Sequence, residues 1–390
     1  MTKLNIAVVF GGPTQEHDVS VVSAQQLMDA ADMRKLNIIP VYLDFEGRFM
    51  HGASLRDLGA FRPRPGGLTQ VTFAWGDNGP CLRHMDGSDF QNIDCVLPVF
   101  HGPYGEDGRI QGMMELLGIP VTGFNATNSA IAMRKDATKA IVKTVGVNVV
   151  DHVVANHATL QNPKAFCQKV AQQIGYPAIV KPANLGSSIG VGIATDDETL
   201  IALSQAVLRQ DGFALVEPKV QNLVEYNVAL TYRDGQIYHS AIERPKSSAD
   251  LLDFKEKYLA SGDGSPPKKG GKLGNGPVPS QGMLSLTRDI NPDIPAGLQA
   301  RIYEYASAAF SVLGLRGAPR IDFMVDDKTG ELWFNEINPI PGSYGFFLWE
   351  AAAPPLLFSE LIQHLVEEAI GDSLKTFDDP VPQGAHLLPR

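Results

Sequence analysis

Three oxygen-bearing side chains in the C-terminal part of the chain are spaced so that they could share a hard cation. Glu336 and Asn338 alternate along the apolar stretch "LWFNEIN", and residues two apart on a strand point to the same face. Upstream, "RIDFMVD", "DKTG" and "ELWFNEIN" are typical of a hairpin, which predicts that Asp322 lies opposite Glu336 and Asn338. A Glu-x-Asn pair alone is more often a solvated strand edge, but the hairpin favours a Mg²⁺ site completed by phosphate oxygens.

Two lysines and a loop of small residues could hold phosphate. Lys181 ends an apolar stretch and precedes "NLGSSIGVG", whose residues expose N–H and hydroxyl donors, although no G-K-[ST] of a Walker loop follows. Lys135 lies in "NATNSAIAMRKDATKAIVKTVG", which predicts one helix. A single lysine of this kind is more often a surface residue, and a Gly/Ser loop alone is more often the turn of a plain hairpin. In "LVEPKVQNLVEYN" backbone groups after the strand could pair with adenine and Glu217 or Glu225 could bind the ribose, so the pattern indicates a nucleotide, Mg²⁺ and a further substrate.

Composition narrows the class of protein that carries these residues. The chain has 390 residues, of which 44% are hydrophobic and 19% charged, and this predicts a globular protein of two or three domains. A net charge of −10 argues against nucleic acid as a partner. No apolar run approaches the roughly 20 residues that span a bilayer, and no signal peptide is recognisable, so we expect a cytoplasmic protein with no membrane partner. The scattered Cys81, Cys95 and Cys167 are expected to be reduced core residues.

The order of elements predicts an α/β fold with ligand loops at a sheet edge. "LNIAVVFGG", a helix and "IIPVYLD" read as strand, helix and strand, and "CVLPVFHG" repeats the apolar strand that ends in a loop. Ligands usually bind at the carboxyl ends of parallel strands, so "GGPTQEHD" and "HGPYGEDG" are candidate ligand loops. The Gly/Pro/Lys-rich segment 259–285 has no period and is expected to be a lid or a disordered loop. We find no internal repeats.

At this level of detail the chain resembles the D-alanine–D-alanine ligases of the ATP-grasp superfamily, over roughly residues 4–370. The motifs that carry the resemblance are "VVFGGPTQEHDVSVVSA", "FHGPYGEDGRIQGMMELLGIPVTG", "AMRKDATK", "IVKPANLGSSIGV", "FKEKY", "RIDFMV" and "NEINPIPG". The resemblance implies an ATP-grasp fold with a Rossmann-like N-terminal domain (1–123), a central domain (124–216) and a C-terminal domain with the metal site and lid (217–372), followed by a tail (373–390). The central and C-terminal domains are expected to be α+β and to grip ATP between them.

The resemblance also implies a reaction and its participants. ATP would phosphorylate the carboxylate of one D-alanine to an acyl phosphate, and the amine of a second D-alanine would displace phosphate, with positioning and charge neutralisation as the main catalytic effects. The implied cofactors are ATP and Mg²⁺, with two ions bound and Mn²⁺ able to substitute. The implied partners are small molecules, ATP and D-alanine or another amino acid, and a homodimer is the expectation for the family. The implied role is peptidoglycan synthesis for the cell wall.

Carried over residue by residue, the resemblance assigns roles along the whole chain. The implied ATP-binding residues are Lys135, Lys181, Ser187, Ser188, Glu217, Lys219, Val220, Glu225 and Lys257. The implied Mg²⁺ ligands are Asp322, Glu336 and Asn338. Glu16 and His101 would bind the first substrate, and Arg320 with the backbone of Gly342 would stabilise the oxyanion. Ser187 and Tyr258 would link to Glu16 when the lid closes.

The sequence departs from the ligases at the site of the second substrate. By direct count from Gly342, the serine that holds the second carboxylate is replaced here by Phe347, followed by the expected Leu348. Phenylalanine cannot donate a hydrogen bond, so we expect that Ser343 or Tyr344 takes this role or that the acceptor differs. The segment after Tyr258 is also longer, with Lys268, Lys269 and Lys272 either covering phosphates or solvating the loop.

Three functional hypotheses follow from this pattern. The first is formation of D-alanyl-D-alanine. The alternative is the same chemistry with another acceptor, as in a D-alanine–D-X ligase or a dipeptide or amide ligase of secondary metabolism. A catalytically silent nucleotide-binding regulator is disfavoured, because such a protein has no need of a complete set of metal ligands.

Overall fold

The computed structural model describes residues 3–186, 189–246 and 288–373. Within these ranges the strands form three sheets of seven, four and five strands, which follow one another along the chain. Cys81, Cys95 and Cys167 are free and buried. None of the helices in the described ranges is long and apolar enough to cross a membrane.

The N-terminal sheet combines a parallel centre with an antiparallel extension. Its strands are β1 (Leu4–Gly11), β2 (Leu36–Leu43), β3 (Phe49–His51), β4 (Thr69–Gly76), β5 (Gly79–His84), β6 (Asp89–Asn92) and β7 (Cys95–Val99), and its helices are α1 (His17–Ala30) and α2 (Arg109–Leu116). The strand order is β6-β5-β4-β3-β2-β1-β7, with β1 parallel to β2 and β7. This confirms the predicted parallel arrangement, and strands buried on both faces read as continuous apolar runs. The antiparallel strands β3 to β6 were not predicted.

The central sheet is small and antiparallel. Its strands are β8 (Val153–Ala155), β9 (Ala178–Pro182), β10 (Gly192–Ala194) and β11 (Ala214–Pro218), in the order β10-β9-β11-β8. Helices α5 (Pro163–Gln173) and α6 (Asp197–Leu208) pack on it, and their apolar faces share one buried cluster with the strands. Lys181 and Glu217 lie in the adjacent strands β9 and β11, so this sheet fixes their separation.

The segment before the central sheet corrects one prediction. Where the sequence indicates one helix, the chain forms α3 (Ala126–Met133) and α4 (Lys135–Thr144), separated by Arg134 in an extended conformation with φ −93° and ψ 100°. The Arg134 guanidinium pairs with Asp136 and stacks 3.7 Å from the Phe213 ring centroid, which compensates for the broken helix. The break places Lys135 in the first turn of α4, where its backbone N–H donates to the Ala183 carbonyl.

The C-terminal sheet contains the predicted hairpin. Its strands are β12 (Leu223–Arg233), β13 (Gln236–Pro245), β14 (Arg288–Ile290), β15 (Arg320–Asp326) and β16 (Glu331–Asn338), in the order β14-β13-β12-β15-β16 with antiparallel pairing throughout. Strands β15 and β16 confirm the hairpin and its boundaries. Helix α7 (Ala296–Val312) and helices α3 and α4 share a buried cluster with this sheet, so residues of the predicted central domain pack on the C-terminal one.

The chain after β16 returns to the N-terminal sheet. A 3₁₀ turn (Gly342–Gly345) leads into the short helix α8 (Phe346–Glu350) and then into α9 (Phe358–Ser373). Tyr344, Leu348 and Trp349 share one apolar cluster with Phe10 and Leu97 of strands β1 and β7. The C-terminal and N-terminal sheets are therefore held together by a common core.

Candidate active site

The predicted cation ligands come together on adjacent strands. Asp322 is opposite Glu336 in the β15–β16 pairing, and Arg320 is opposite Asn338. The Asn338 amide Nδ2 donates to Oδ2 of Asp322 over 3.1 Å. Directly opposite residues in an antiparallel pair share a face, so all four side chains lie on one side of the sheet. The hairpin register therefore assembles the site that the sequence predicts.

Basic side chains pair with both carboxylates in this arrangement. Arg320 donates to the two oxygens of Asp322 over 2.7 and 2.8 Å, and Nζ of Lys135 lies 3.1 Å from Oε2 of Glu336. Carboxylate and amide oxygens are ligands that Mg²⁺ accepts, so Asp322, Glu336 and the amide oxygen of Asn338 supply three suitable donors. Within the described ranges no group of three or more His, Cys, Asp or Glu side chains is arranged to hold a metal. This donor set thus fits Mg²⁺ that takes its remaining ligands from phosphate.

Lys135 and Lys181 both reach β16, the strand that carries Glu336. Nζ of Lys181 donates to the side-chain oxygen of Asn335 over 3.1 Å, and Nζ of Lys135 donates to the Leu185 carbonyl over 2.6 Å. Each lysine is only 8% exposed, so a surface position is ruled out for both. Two largely buried ammonium groups beside the carboxylates form a cationic site suited to polyphosphate.

A buried ion triad holds Lys181 in place. Oε2 of Glu217 lies 2.7 Å from Lys181 and Oε1 lies 2.6 Å from Lys139, which is completely buried. Burial alone would raise the pKa of the Glu217 carboxyl, but the two ammonium groups lower it to about 2. Burial lowers the pKa of Lys139 to about 8 against the opposing effect of Glu217. Both carboxylate oxygens of Glu217 are paired with lysines. We therefore assign the proposed contact with adenine to backbone groups and not to the Glu217 side chain.

Lys139 was missed from sequence, although a signal for it was present. It stands four residues after Lys135 in "AMRKDATK", which places both lysines on one helical face.

The remaining predicted nucleotide-binding residues lie just after β11, on β12 or outside the described ranges. The backbone N–H of Lys219 donates to the Pro177 carbonyl, and Lys219 and Val220 follow β11 at half-buried positions. Glu225 is half-buried on β12, opposite Met324. Ser187, Ser188, Lys257 and Tyr258 lie outside the described residues, as do Lys268, Lys269 and Lys272, and the predictions for them stay predictions.

Two loops of the N-terminal sheet close the site from the other side. Glu106, which sequence reasoning did not single out, accepts from the backbone N–H of Gly102 over 2.7 Å and from that of Ile340 over 3.2 Å. A single carboxylate therefore joins the loop after β7 to the end of the metal-site strand. Burial, with the negative charge of Glu16 as the next cause, raises the pKa of Glu106 to about 8. Gly102 has φ +78°, a conformation that favours glycine, and a β-carbon there would lie 2.8 Å from Oε2 of Glu16 and displace it.

Glu16 and His101, the predicted first-substrate residues, are both buried at this junction. Nε2 of His101 lies 3.1 Å from the Ser23 hydroxyl oxygen, which also accepts from the backbone N–H of Ser343 over 3.2 Å. Burial, together with the nearby Arg320 charge, lowers the pKa of His101 to about 4, so its imidazole is neutral at pH 7. A neutral imidazole adds no positive charge to this junction, where Glu16 is also buried.

Two family models match this chain. Residues 5–124 match the D-ala D-ala ligase N-terminus, and residues 141–266 and 285–367 match the D-ala D-ala ligase C-terminus. The chain belongs to the D-alanine–D-alanine ligase family. It is an ATP-dependent ligase that forms a peptide bond, as predicted, and membership implies ATP and Mg²⁺ in general terms.

Curated relatives and solved structures agree with the family assignment. The chain is 34% identical over 368 residues to a D-alanine–D-alanine ligase of Thermosipho melanesiensis, covering 93% of this chain and 92% of the relative. It is 32% identical over 389 residues to one of Chlorobium phaeobacteroides, covering 95% and 99%. The structure of the Coxiella burnetii D-alanine–D-alanine ligase aligns with a TM-score of 0.77 at 25% identity over 96% of each chain. VanG D-Ala:D-Ser ligase from Enterococcus faecalis aligns with a TM-score of 0.74 at 25% identity, covering 94% and 99%. The ATP-grasp fold class is thereby confirmed.

The segment that departs from the family pattern is packed against the N-terminal sheet. Ser343 and Tyr344 have φ of 46° and 55°, which turns their side chains toward that sheet. The Ser343 hydroxyl donates to the side-chain oxygen of Gln26, and the Tyr344 hydroxyl donates to the Pro98 carbonyl over 2.7 Å. Burial raises the pKa of Tyr344 well above its usual range, and Leu348 is completely buried in the shared core. This packing argues against the predicted substrate contacts of Ser343, Tyr344 and Leu348, because their side chains are already engaged within the protein.

The position of Tyr344 predicts a structural effect of removing its hydroxyl. In Tyr344→Phe the Pro98 carbonyl loses a buried donor, so the free energy of unfolding should fall by about 1–3 kcal/mol. The KM for the acceptor amino acid should stay within about twofold of wild type, since a group that does not touch substrate contributes no binding energy. Thermal unfolding and steady-state kinetics measure the two effects, and Tyr232→Phe, at an exposed tyrosine, is the matched control. A large rise in acceptor KM with unchanged melting temperature would restore Tyr344 as a substrate ligand.

The raised pKa of Glu106 predicts how stability depends on pH. Its pKa is about 8 in the folded chain against an ordinary value of 4.5, so the folded state binds the proton more tightly between these values. Stability from this group is complete below about pH 4.5 and is lost as pH rises through about 8. In Glu106→Gln, which cannot titrate, the melting temperature of the ligand-free protein should fall less between pH 5.5 and pH 8.5.

The difference between the two proteins isolates Glu106, because other buried acids such as Glu368 are common to both. Glu304→Gln, at an exposed position, should leave the slope of melting temperature against pH unchanged. Parallel curves for wild type and Glu106→Gln would show that Glu106 does not titrate in this range.

Proposed function

We propose that this protein joins two molecules of D-alanine at the expense of ATP, giving D-alanyl-D-alanine, ADP and phosphate. The observation that carries the proposal is the face of the C-terminal sheet where Asp322, Glu336 and Asn338 converge with Arg320, beside Lys135 and Lys181. The curated relatives that the chain resembles bear the name D-alanine–D-alanine ligase, which favours this product over that of the alternative with another acceptor.

For the first step, Lys135 and Lys181 would neutralise phosphate oxygens while Glu217 holds Lys181 in position. Asp322, Glu336 and Asn338 would hold two Mg²⁺ ions, for which Mn²⁺ could substitute. Bound there, the metal would neutralise charge on the transferred phosphoryl group. The adenine and ribose would lie against the backbone of Lys219 and Val220 and the side chain of Glu225. Ser187, Ser188 and Lys257 are proposed to complete the phosphate site.

The second step is attack by an amine on the substrate carboxylate, which the first step must already have turned into a good electrophile. An oxygen of the donor carboxylate attacks the γ-phosphorus, the bond to the ADP oxygen breaks, and an acyl phosphate results. The acceptor amine then attacks the acyl carbon, the C–O bond to phosphate breaks with its electron pair, and the amine loses a proton. Glu16 would hold the donor ammonium, with His101 neutral beside it, and Arg320 and the Gly342 N–H would stabilise the oxyanion. Tyr258 would close onto Glu16 and Ser187.

Some parts of the proposal rest on the family resemblance. These are a homodimer, a cytoplasmic site, a role in peptidoglycan synthesis, and the division into domains at 1–123, 124–216 and 217–372 with a tail at 373–390. The net charge of −10 supports small-molecule substrates over nucleic acid.

The direct test is product formation by the purified protein. With Mg²⁺-ATP and D-alanine as the sole amino acid, we expect ADP release matched by D-alanyl-D-alanine, identified by mass. Glu336→Gln should lower turnover by about 10²-fold or more, because it removes a charged ligand beside the transferred phosphate. Glu331→Gln, at the exposed start of the same strand, should keep wild-type turnover.

Two results would count against this function. ADP release that appears only when an amino acid or amine other than D-alanine is added would replace the proposed product with another. Normal turnover in Glu336→Gln would remove the metal assignment.

A further inference from the structure

The acceptor of the proposed reaction presents a problem of charge. An amino acid that attacks through its amine keeps a free carboxylate, and burying that carboxylate without a donor or a cation is costly. In this chain Phe347 occupies the counted position of the family serine and has no donor. The neighbouring hydroxyls of Ser343 and Tyr344 are engaged with Gln26 and Pro98. The acceptor carboxylate therefore needs a partner from another element.

Arg288 lies on the same face of the C-terminal sheet as the proposed metal ligands. Across the sheet, Asp322 is opposite Asn227, Asn227 is opposite Glu243, and Glu243 is opposite Ile290. Arg288 is two residues before Ile290 on β14 and so projects from the same side. The row of side chains that begins at the metal site thus ends at Ile290, and the Arg288 guanidinium is one step along the same face.

Two contacts fix the Arg288 side chain beside Phe347. Its Nη1 lies 3.0 Å from Oε2 of Glu243, a carboxylate that is almost wholly buried. Its guanidinium carbon lies 4.9 Å from the centroid of the Phe347 ring, within the range of a cation–π contact. Glu243 is itself held by Asn227, whose Nδ2 donates to Oε1 over 2.9 Å. The Arg288 cation thus contacts Phe347, the residue at the position of the family serine.

Donors remain on this guanidinium after these contacts are counted. Nε of Arg288 is buried and has no hydrogen-bond partner among the described residues, while the side chain as a whole is 24% exposed. A guanidinium has five N–H donors, and Glu243 takes one edge. In the part of the chain that the structure describes, Lys135, Lys181 and Arg320 of this site already have proposed roles, the lysines with phosphate and Arg320 with the oxyanion. Nη1 of Arg320 lies 3.9 Å from Oε1 of Glu243, so Glu243 stands between Arg288 and the reacting centre.

We propose that Arg288 binds the carboxylate of the acceptor amino acid and takes the place of the serine that Phe347 replaces. The inference rests on the proposed function, because it concerns the acceptor of that same reaction. A guanidinium recognises a carboxylate by charge and by paired N–H donors, which a serine hydroxyl cannot do. Phe347 and Arg288 then form one unit, in which the ring orients the guanidinium and Glu243 prevents it from swinging into solvent.

The test is a competition between two acceptors that differ only in this carboxylate. D-alanine and D-alaninamide are supplied together with Mg²⁺-ATP, and the two products are quantified by mass. The amide has no carboxylate to be phosphorylated, so it can act only as an acceptor. The product ratio reports relative acceptor preference and is independent of ATP and donor binding.

Wild type should strongly favour D-alanine, and Arg288→Gln should lower the ratio of dipeptide to dipeptide amide by about 10-fold to 100-fold, as expected for a lost charge-assisted pair. Arg288→Lys keeps the charge without the fork and should give an intermediate ratio. Arg244→Gln is the matched control, because Arg244 lies on the opposite face of the same strand pair, bound to Asp289, and should keep the wild-type ratio.

The outcomes separate this inference from the proposed function. Dipeptide formation by wild type with an unchanged ratio in Arg288→Gln would overturn the role of Arg288 and leave the ligase assignment intact. An equal loss of both products would show that Arg288 acts only through the fold. If Arg288→Gln is inactive, the Arg288→Lys ratio decides, and a wild-type value there overturns the inference. Absence of any dipeptide from wild type would instead refute the proposed function.

Discussion

The register of strands β12, β15 and β16 is the constraint on which the site depends. It brings Asn227, Asp322 and Glu336 into one row, with Arg320 and Asn338 one step along the same face. A shift by one residue would turn every one of these side chains to the opposite face, where the sheet packs on α7 and α4. The apolar residues that alternate with them, such as Ile321 and Phe323, bury that other face. The same hydrophobic pattern that folds the sheet therefore also aligns its polar residues.

Charge balance explains why so many ionisable groups can be buried here. Glu217 lies between Lys139 and Lys181, Glu336 pairs with Lys135, and Asp322 pairs with Arg320. An isolated buried charge would cost far more than the fold could offset, whereas paired charges with further hydrogen bonds are tolerated. The downward shift of the Glu217 pKa and the upward shift of the Glu106 pKa show the difference. Two cations lower the pKa of Glu217, whereas burial and the negative charge of Glu16 raise the pKa of Glu106 and outweigh its backbone donors.

The sequence predicts the parts of this site that depend on local pattern. The β15–β16 hairpin follows from alternation and a turn, and its register brings Asp322, Glu336 and Asn338 together. The break at Arg134 was missed because helix propensity alone favours continuity, and the Phe213 ring on which Arg134 stacks lies far along the chain. The role of Glu106 depends on a bond to Ile340, 234 residues away. The packing of Tyr344 depends on left-handed backbone conformations at Ser343 and Tyr344. Neither residue is a glycine or asparagine, so the sequence gives no sign of these conformations. Such long-range contacts leave no periodic signal.

The carboxylates of the proposed site must change partners during the reaction, and this links metal binding to catalysis. Arg320 places two of its five N–H donors on Asp322, so an oxyanion would compete with that carboxylate for the charge of the guanidinium. A divalent cation that takes Asp322 as ligand would weaken those bonds, and Lys135 would be released from Glu336 in the same way. The groups set free are cationic and lie where phosphate and developing negative charge must be stabilised. Catalytic donors thus stay paired, and the buried carboxylates stay compensated, until the metal arrives with the nucleotide. On this argument the ion has a second effect besides neutralising phosphate, because it exchanges internal ion pairs for contacts with the substrate.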